Sequence, residues 1–363
     1  MTRYLLAGGG TAGHVNPLLA VADRIRDRDP DAVILVLGTA EGLESRLVPE
    51  RGYELLVVPR LPFPRRPNRA ALRFPGRFRH LVSLIRTILA ENAIDVVVGF
   101  GGYVSAPAYL AARAEHVPIA VHEANARPGM ANRLGARFTR SVGVTFRGTR
   151  LPHATFVGMP LRREIETLDR ARSRREAADF FGLSPAKLTL LVTGGSQGAK
   201  SINETVFAAA ASILGAGWQI LHVTGQRSEI TASDLAGYRI MPYCDRMDLA
   251  IAAADFAVAR AGAATVSEFT ALGLPTAYVP LAIGNGEQRL NAREVVAAGG
   301  AVLVANAEFT PRWVAGTLVP LLEDRALVAD MAARARSVGV LDGADRMVDL
   351  VTSAVDGQVH LSR

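Results

Sequence analysis

His14 and Glu268 are the side chains whose surroundings best suit them to chemistry. His14 follows Gly8-Gly9-Gly10-Thr11-Ala12-Gly13, a run whose bare backbone amides, at the start of a helix, can receive phosphate or another oxyanion. An imidazole at the mouth of such a turn changes charge near neutral pH, which makes His14 a candidate general base; the place also suits a capping or core histidine. Gly194-Gly195-Ser196-Gln197-Gly198-Ala199 repeats the turn and brings a second oxyanion site. Glu268 closes Arg260-Ala261-Gly262-Ala263-Ala264-Thr265-Val266-Ser267-Glu268. A carboxylate at a strand end can accept both hydroxyls of a ribose, while an acid in the first turn of a helix capped by Thr265 is also explained by the helix dipole. His122-Glu123-Ala124-Asn125 gathers further polar groups, with Glu123 the alternative base.

These clusters need strands before them and helices after. Tyr4-Leu5-Leu6-Ala7 reads as a buried parallel strand, and residues 17–28 as an amphipathic helix. Gly8, Gly10 and Gly13 also fit the dinucleotide-binding spacing, but the second strand, Val33-Ile34-Leu35-Val36-Leu37, runs into Gly38 and Thr39, and Glu41 comes late for a ribose. The loop is therefore read as an anion or sugar site, with a purely structural turn as the alternative. Strand and helix alternate to residue 157: helices at 41–51, 81–92 and 106–113, strands at 53–58, 95–99, 118–121, 142–144 and 155–157. Gly158-Met159-Pro160 breaks the rhythm and marks a linker. A charged helix over 162–181 leads to a new strand at 188–193 and the second glycine turn, so a second doubly wound domain begins here. Strands follow at 219–223, 238–241, 255–259 and 274–280, then the polar loop Gly284-Asn285-Gly286-Glu287-Gln288-Arg289-Leu290-Asn291-Ala292, helices near 311–322, 325–338 and 344–355, and a loose tail.

At 363 residues the chain exceeds one ordinary core and suits two domains. A single cysteine, Cys244, excludes a disulfide framework and paired-cysteine zinc sites, and fits a reducing compartment. No secretory signal or membrane span is visible, which places the protein in the cytosol or on a membrane from the cytosolic side. The net charge of +7 belongs to the first half. Between Glu54 and Glu91 no acid occurs, yet eight arginines do: Arg60, Arg65, Arg66, Arg69, Arg73, Arg77, Arg79 and Arg86. Leu61, Phe63, Leu72, Phe74, Phe78, Leu81 and Leu84 are interleaved with them. The segment from Leu61 to Leu84 suits an anionic membrane surface. Nucleic acid is disfavoured because no recognisable binding module accompanies the charge, and a solvated helix face is the plain alternative.

Taken together, the two glycine loops, His122-Glu123-Ala124-Asn125, residues 260–268 and residues 287–291 resemble the MurG family, membrane-associated N-acetylglucosaminyltransferases of peptidoglycan synthesis. Five ordered motifs carry the resemblance over nearly the whole chain. Ala261 stands where the family often has serine, and Glu287 where some members have glutamine. The resemblance implies an α/β GT-B fold: two doubly wound Rossmann-like domains whose parallel sheets face across a cleft. The N-terminal acceptor and membrane-binding domain would span residues 1–160 plus a returning helix over 342–363, and the nucleotide-sugar donor domain 161–341. It implies inverting transfer of N-acetylglucosamine from UDP-N-acetylglucosamine to the C4 hydroxyl of an undecaprenyl-linked muramyl-pentapeptide, at the cytoplasmic side of the membrane, with no metal or cofactor. His14 would be the base. Thr11, Ala12, Gly13, Asn125, Arg162, Ser196, Cys244, Ala263, Ala264, Thr265, Val266, Ser267, Glu268 and Gln288 would contact the donor, Glu268 at the ribose and the backbone near Cys244 at the uracil. A nucleotide-sugar epimerase, a binding protein without turnover and another glycolipid or natural-product glycosyltransferase remain the alternatives.

Overall fold

Short runs of Val, Ile, Leu and Ala, bounded by glycine, form the strands of two all-parallel sheets. The computed structural model describes residues 1–64, 69–281 and 286–359. Arg65 and Arg66 of the basic segment, Gly284 and Asn285 of the polar loop, and residues 360–363 of the returning helix lie outside the described residues. The chain divides into two units, Met1–Arg162 with Leu341–Arg363, and Arg163–Val340.

The first unit runs β1 (Arg3–Gly8), α1 (Ala12–Arg28), β2 (Val33–Gly38), α2 (Glu44–Glu50), β3 (Glu54–Val57), α3 (Arg69–Glu91), β4 (Val96–Gly101), α4 (Ser105–Ala114), β5 (Ile119–Glu123), α5 (Met130–Gly135), β6 (Ser141–Val144) and β7 (Ala154–Phe156). Its seven strands lie in the order β3-β2-β1-β4-β5-β6-β7. Successive side chains of β1 serve opposite faces, as the strand's period of two requires. Tyr4 and Leu6 pack with Val36, Val98 and the α1 residues Val15, Leu18 and Val21, whereas Leu5 and Ala7 pack with Leu37, Val97, Ile85 and Tyr109. Burial on both faces explains the absence of polar alternation in these strands.

Two helices begin earlier than their sequence suggests. Thr11 is extended (φ −139°, ψ 155°), so α1 starts at Ala12 and carries Pro17 inside it. Proline is at home in a first turn, which is why 17 looked like the start; here it costs one hydrogen bond instead. Helix α3 spans 23 residues rather than the last three turns alone. Its second half buries Leu81, Ile85 and Leu89 at a spacing of four, and its first half lacks that stripe.

The second unit runs α6 (Arg163–Glu166), α7 (Arg170–Phe181), β8 (Thr189–Thr193), α8 (Lys200–Gly215), β9 (Gln219–Val223), β10 (Tyr238–Met241), α9 (Met247–Ala253), β11 (Phe256–Ala259), α10 (Ala263–Ala271), β12 (Thr276–Tyr278), α11 (Glu287–Asn291), α12 (Arg293–Ala297), β13 (Ala301–Leu303), α13 (Pro311–Trp313), a π-turn at Val314–Leu318, α14 (Val319–Glu323) and α15 (Arg325–Val338). The sheet order is β10-β9-β8-β11-β12-β13. The single charged helix expected over 162–181 is two helices, because the Asp169 carboxylate accepts the amides of Ala171 and Arg172 (3.0 and 3.1 Å) and starts a new one. Strand β13 was not anticipated; three residues are too few to show a period. The last helix, α16 (Gly343–Val359), packs Met347, Val348 and Val351 into the first unit's core beside Val157. Arg24 and Arg28 of α1 pair with its Asp345 (2.9 and 2.6 Å). The helix also takes in residues 356–359, which read as a loose tail.

Candidate functional site

In each sheet one pair of adjacent strands marks the point where the strand order reverses: β1 and β4 in the first unit, β8 and β11 in the second. Open α/β sheets bind ligands beyond the carboxyl ends of strands at such switch points. The candidate residues lie there. Residues 9–14 follow β1, Gly101 ends β4 and Gly102 follows it, residues 194–199 follow β8, and residues 260–268 follow β11.

The loop after β1 and the end of β4 meet around His14. Its ring lies half-buried in the first turn of α1, not in the loop before it. Nδ1 is 3.1 Å from the Gly9 carbonyl and 3.3 Å from the Thr11 hydroxyl. A carbonyl only accepts, so Nδ1 carries the proton and Nε2 has the free lone pair. Nε2 faces Gly101 closely enough that a Cβ there would sit 3.1 Å away, and Gly101 holds φ +97°, a left-handed conformation glycine favours. Ser105 ties the strand ends together: its hydroxyl accepts the Gly101 amide (3.0 Å) and has its one proton within reach of the carbonyls of Ala7 (2.9 Å) and Gly101 (2.7 Å).

The first glycine loop is not the open anion cradle that its glycines suggest. Gly10 N–H donates to Glu44 Oε2 at 2.8 Å, so one of the donors is already taken by a carboxylate of the same unit. Glu44 was missed in the sequence. The acid sought after β2 was one for a ribose, and the signal was an acid two residues beyond Gly42 in a glycine-rich connection.

The loop after β5 is organised from within. Glu123 is buried and accepts the Asn125 amide (2.9 Å), the Gly129 amide (3.0 Å) and the Asn132 side-chain amide (3.0 Å). A carboxylate so fully engaged shapes a loop and is a poor alternative base. His122 is wholly buried, and burial pushes its imidazole down to about 4, with the nearby His14 acting in the same direction. Asn125 is half-buried in this loop.

In the second unit the glycine loop holds Gly195 and Gly198 at positive φ (+85° and +79°), exposes Ser196 and Gln197, and opens α8. Gly198 has no room for a Cβ, because the Thr224 carbonyl lies against it. Helix α10 starts at Ala263 with Gly262 as its N-cap, so Thr265 sits within the first turn and caps nothing. Gly262 is extended there (φ −64°, ψ 146°) and, having no side chain, leaves the first amides of α10 without a side-chain cap. Glu268 accordingly falls in the second turn, half-buried, and no acid occupies the first. The turn before α10 is held by Arg260, which donates to the carbonyls of Val279 (2.9 Å) and Pro280 (3.2 Å), and by the Asn291 amide on the Ala261 carbonyl (3.2 Å). Ala263, Val266 and Ser267 are buried, and the Val266 amide is bonded to the Gly262 carbonyl (2.9 Å), while Ala264 and Thr265 are half-buried.

Gln288 Oε1 accepts the Leu281 amide at 2.9 Å. Cys244, in the β10–α9 connection, is buried, and burial pushes its thiol up to about 11, unsuited to nucleophilic attack. Arg162 is half-buried at the end of the first unit's main segment. Thr11, Ala12 and Gly13 lie at the start of α1.

Residues 4–144 match the glycosyltransferase family 28 N-terminal domain and residues 189–347 the glycosyltransferase family 28 C-terminal domain. Over 355 residues, 98% of its length and 99% of the relative's, the chain is 64% identical to the UDP-N-acetylglucosamine--N-acetylmuramyl-(pentapeptide) pyrophosphoryl-undecaprenol N-acetylglucosamine transferase of Leifsonia xyli subsp. xyli. To the protein of the same name from Streptomyces coelicolor it is 50% identical over 357 residues, 97% and 98% of the two lengths. The crystal structure of Acinetobacter baumannii MurG superposes with a TM-score of 0.80 at 28% identity, covering 97% of this chain and 100% of that one. Staphylococcus aureus MnaA in complex with UDP shares the fold alone, with a TM-score of 0.71 at 13% identity over 98% and 97% of the two chains.

Proposed function

Because the chain belongs to glycosyltransferase family 28, among its N-acetylmuramyl-(pentapeptide) pyrophosphoryl-undecaprenol N-acetylglucosamine transferases, we propose that it transfers N-acetylglucosamine from UDP-N-acetylglucosamine to the C4 hydroxyl of undecaprenyl-diphospho-N-acetylmuramoyl-pentapeptide. The observation that carries this reading is 64% identity across the full length of a transferase of that name. The chain's two Rossmann-like units are those of the GT-B class. In this reading the first unit takes the acceptor and the second the donor.

His14 Nε2 removes the proton from the acceptor's C4 hydroxyl as its oxygen attacks the anomeric carbon. The bond from that carbon to the diphosphate breaks, UDP leaves, and the configuration inverts. Charge grows on the departing diphosphate, and the amides at the starts of α8 and α10, with the Ser196 hydroxyl, are preorganised donors for it. Glu268 accepts the ribose hydroxyls, the backbone near Cys244 meets the uracil, and Gln288 donates to the sugar nucleotide. Thr11, Ala12, Gly13, Asn125, Arg162 and residues 263–267 complete the donor contacts. The protein works at the cytoplasmic face of the membrane as a peripheral enzyme. Among the described residues no helix is long and apolar enough to cross a bilayer.

Purified protein incubated with a panel of UDP-sugars and a short-chain lipid-linked muramyl-pentapeptide tests the proposal. The expected product is a β-linked disaccharide formed from UDP-N-acetylglucosamine alone. Interconversion of the free sugar nucleotide without acceptor would instead identify an epimerase, and binding without turnover a nucleotide-binding protein.

A further inference from the structure

Glu44 is a carboxylate only 1% exposed. Acids are almost never buried this far unless something holds their charge. Its Oε1 accepts the Thr39 amide (3.0 Å) and hydroxyl (2.9 Å), and its Oε2 accepts the Gly10 amide (2.8 Å). Burial alone would raise the Glu44 carboxyl, but bonds from the Gly10 amide, its own amide and Thr39 outweigh it and hold the group below its ordinary value. The surrounding sequence is shaped to this side chain: a Cβ on Gly9, Gly38 or Gly42 would run into it.

The Gly10 N–H that Glu44 receives belongs to the same planar peptide group as the Gly9 carbonyl, which receives the Nδ1 proton of His14. We propose that Glu44 is the positioning residue of His14, acting through the Gly9–Gly10 peptide as the last member of an imidazole–peptide–carboxylate relay. The peptide is rigid, so fixing its N–H fixes the direction of its carbonyl. A carboxylate on the N–H also polarises the peptide and makes that carbonyl a stronger acceptor. The relay holds His14 as the Nδ1–H tautomer and keeps Nε2 free for a proton. Gly10 adopts φ +86°, which turns the peptide to meet both partners, and Gly102 (φ +86°) lies so close over Gly9 that no Cβ fits between them.

Only the kinetic consequence rests on His14 being the base; the tautomer does not. Glu44→Gln keeps the volume, but its NH₂ must oppose the amide of either Gly10 or Thr39. In the wild type, ¹⁵N spectra of the neutral imidazole, assigned by comparison with His14→Gln, are expected to show Nδ1–H. In Glu44→Gln the tautomers are expected to mix, and kcat to fall up to about a hundredfold with the KM for UDP-N-acetylglucosamine unchanged. A wild-type His14 protonated on Nε2, or a Glu44→Gln enzyme with unaltered tautomer, overturns the relay. The wild-type spectrum decides the first point even if Glu44→Gln does not fold, and Thr39→Val, which removes one donor from Glu44, is then expected to mix the tautomers partially. If Glu44→Gln mixes the tautomers while His14→Ala retains turnover, the relay stands and His14 is not the base.

Discussion

At the second turn of α10 the helix dipole gives Glu268 little stabilisation, since its effect fades within the first turn. That strengthens the ribose reading. Glu268→Ala is expected to weaken UDP binding by about ten- to a hundredfold, the equivalent of ~1.5–3 kcal/mol for a charged hydrogen bond, and Glu268→Gln by less, because its amide keeps one acceptor. Titration calorimetry with UDP checks this, and equal affinity in wild type and Glu268→Ala removes the role. In the proposed mechanism His14 is the base. His14→Ala is expected to lower turnover by roughly 10²- to 10⁴-fold while leaving UDP affinity and melting temperature near wild type. A core or capping histidine would lose stability and donor affinity together with activity. Near-wild-type turnover in a folded His14→Ala enzyme ends the assignment, and Glu123 does not inherit it, since its two oxygens already serve three donors.

Helix α3 shows how one element can serve two environments. Leu81, Ile85 and Leu89 bind its second half to the core, and Leu61, Val82 and Leu84 pack against the same cluster. Three of the apolar residues assigned to a membrane surface, Leu61, Leu81 and Leu84, are thus used internally. Toward the other end Leu72 is 84% exposed and Phe63 59%, while Phe63 meets Phe74 edge to face and Phe74 stacks on Phe78, at 5.3 and 5.5 Å between ring centres. Exposed Arg73, Arg77 and Arg79 surround them. The second half was legible in the sequence because full burial imposes a period; the first half is only half-buried, at Ala71, Phe74 and Phe78, with exposed arginines between, so its pattern is weaker. If this end lies on lipid, each arginine near an anionic surface contributes ~1 kcal/mol, screened by salt. Sedimentation with vesicles is expected to show binding to phosphatidylglycerol mixtures and little to phosphatidylcholine. Replacing Leu72, Arg73 and Arg77 together by Ser is expected to abolish it without affecting stability, since all three are exposed. Equal binding to neutral vesicles, or none to either, excludes the surface.

Across the whole chain, what the sequence reveals follows from where a residue's constraint is local. Glycine turns at strand ends are local, so residues 9–14, 194–199 and 260–268 stand out in the sequence, and the strand order places them at the carboxyl ends of the strands where the order reverses. Glu44 escaped notice because its partner, the Gly10 amide, is 34 residues away. His222 is equally silent in sequence and His122 stands out there only within a polar cluster, yet buried they give each unit the same response to acid. His122 in the first unit and His222 in the second are both 0% exposed, and burial holds each at about 4 against 6.5 for a free imidazole. His222 lies between the Tyr238 hydroxyl (2.7 Å) and the Asn203 side-chain oxygen (3.1 Å). Above pH 6.5 both are neutral whether folded or unfolded and cost nothing. As the pH falls toward 4 the unfolded chain takes up a proton that the folded chain refuses, so stability is lost across that window, by up to about 3 kcal/mol for each histidine. Carboxylates titrate nearby, so the decisive quantity is the difference between wild type and a variant that cannot protonate. Urea unfolding of His222→Gln and His122→Gln at pH 7, 5.5 and 4.5 is expected to show each variant destabilised at pH 7 and gaining on the wild type as the pH falls. A difference between variant and wild type that stays constant from pH 7 to 4.5 would mean that the buried imidazoles do not set the acid limit of the fold.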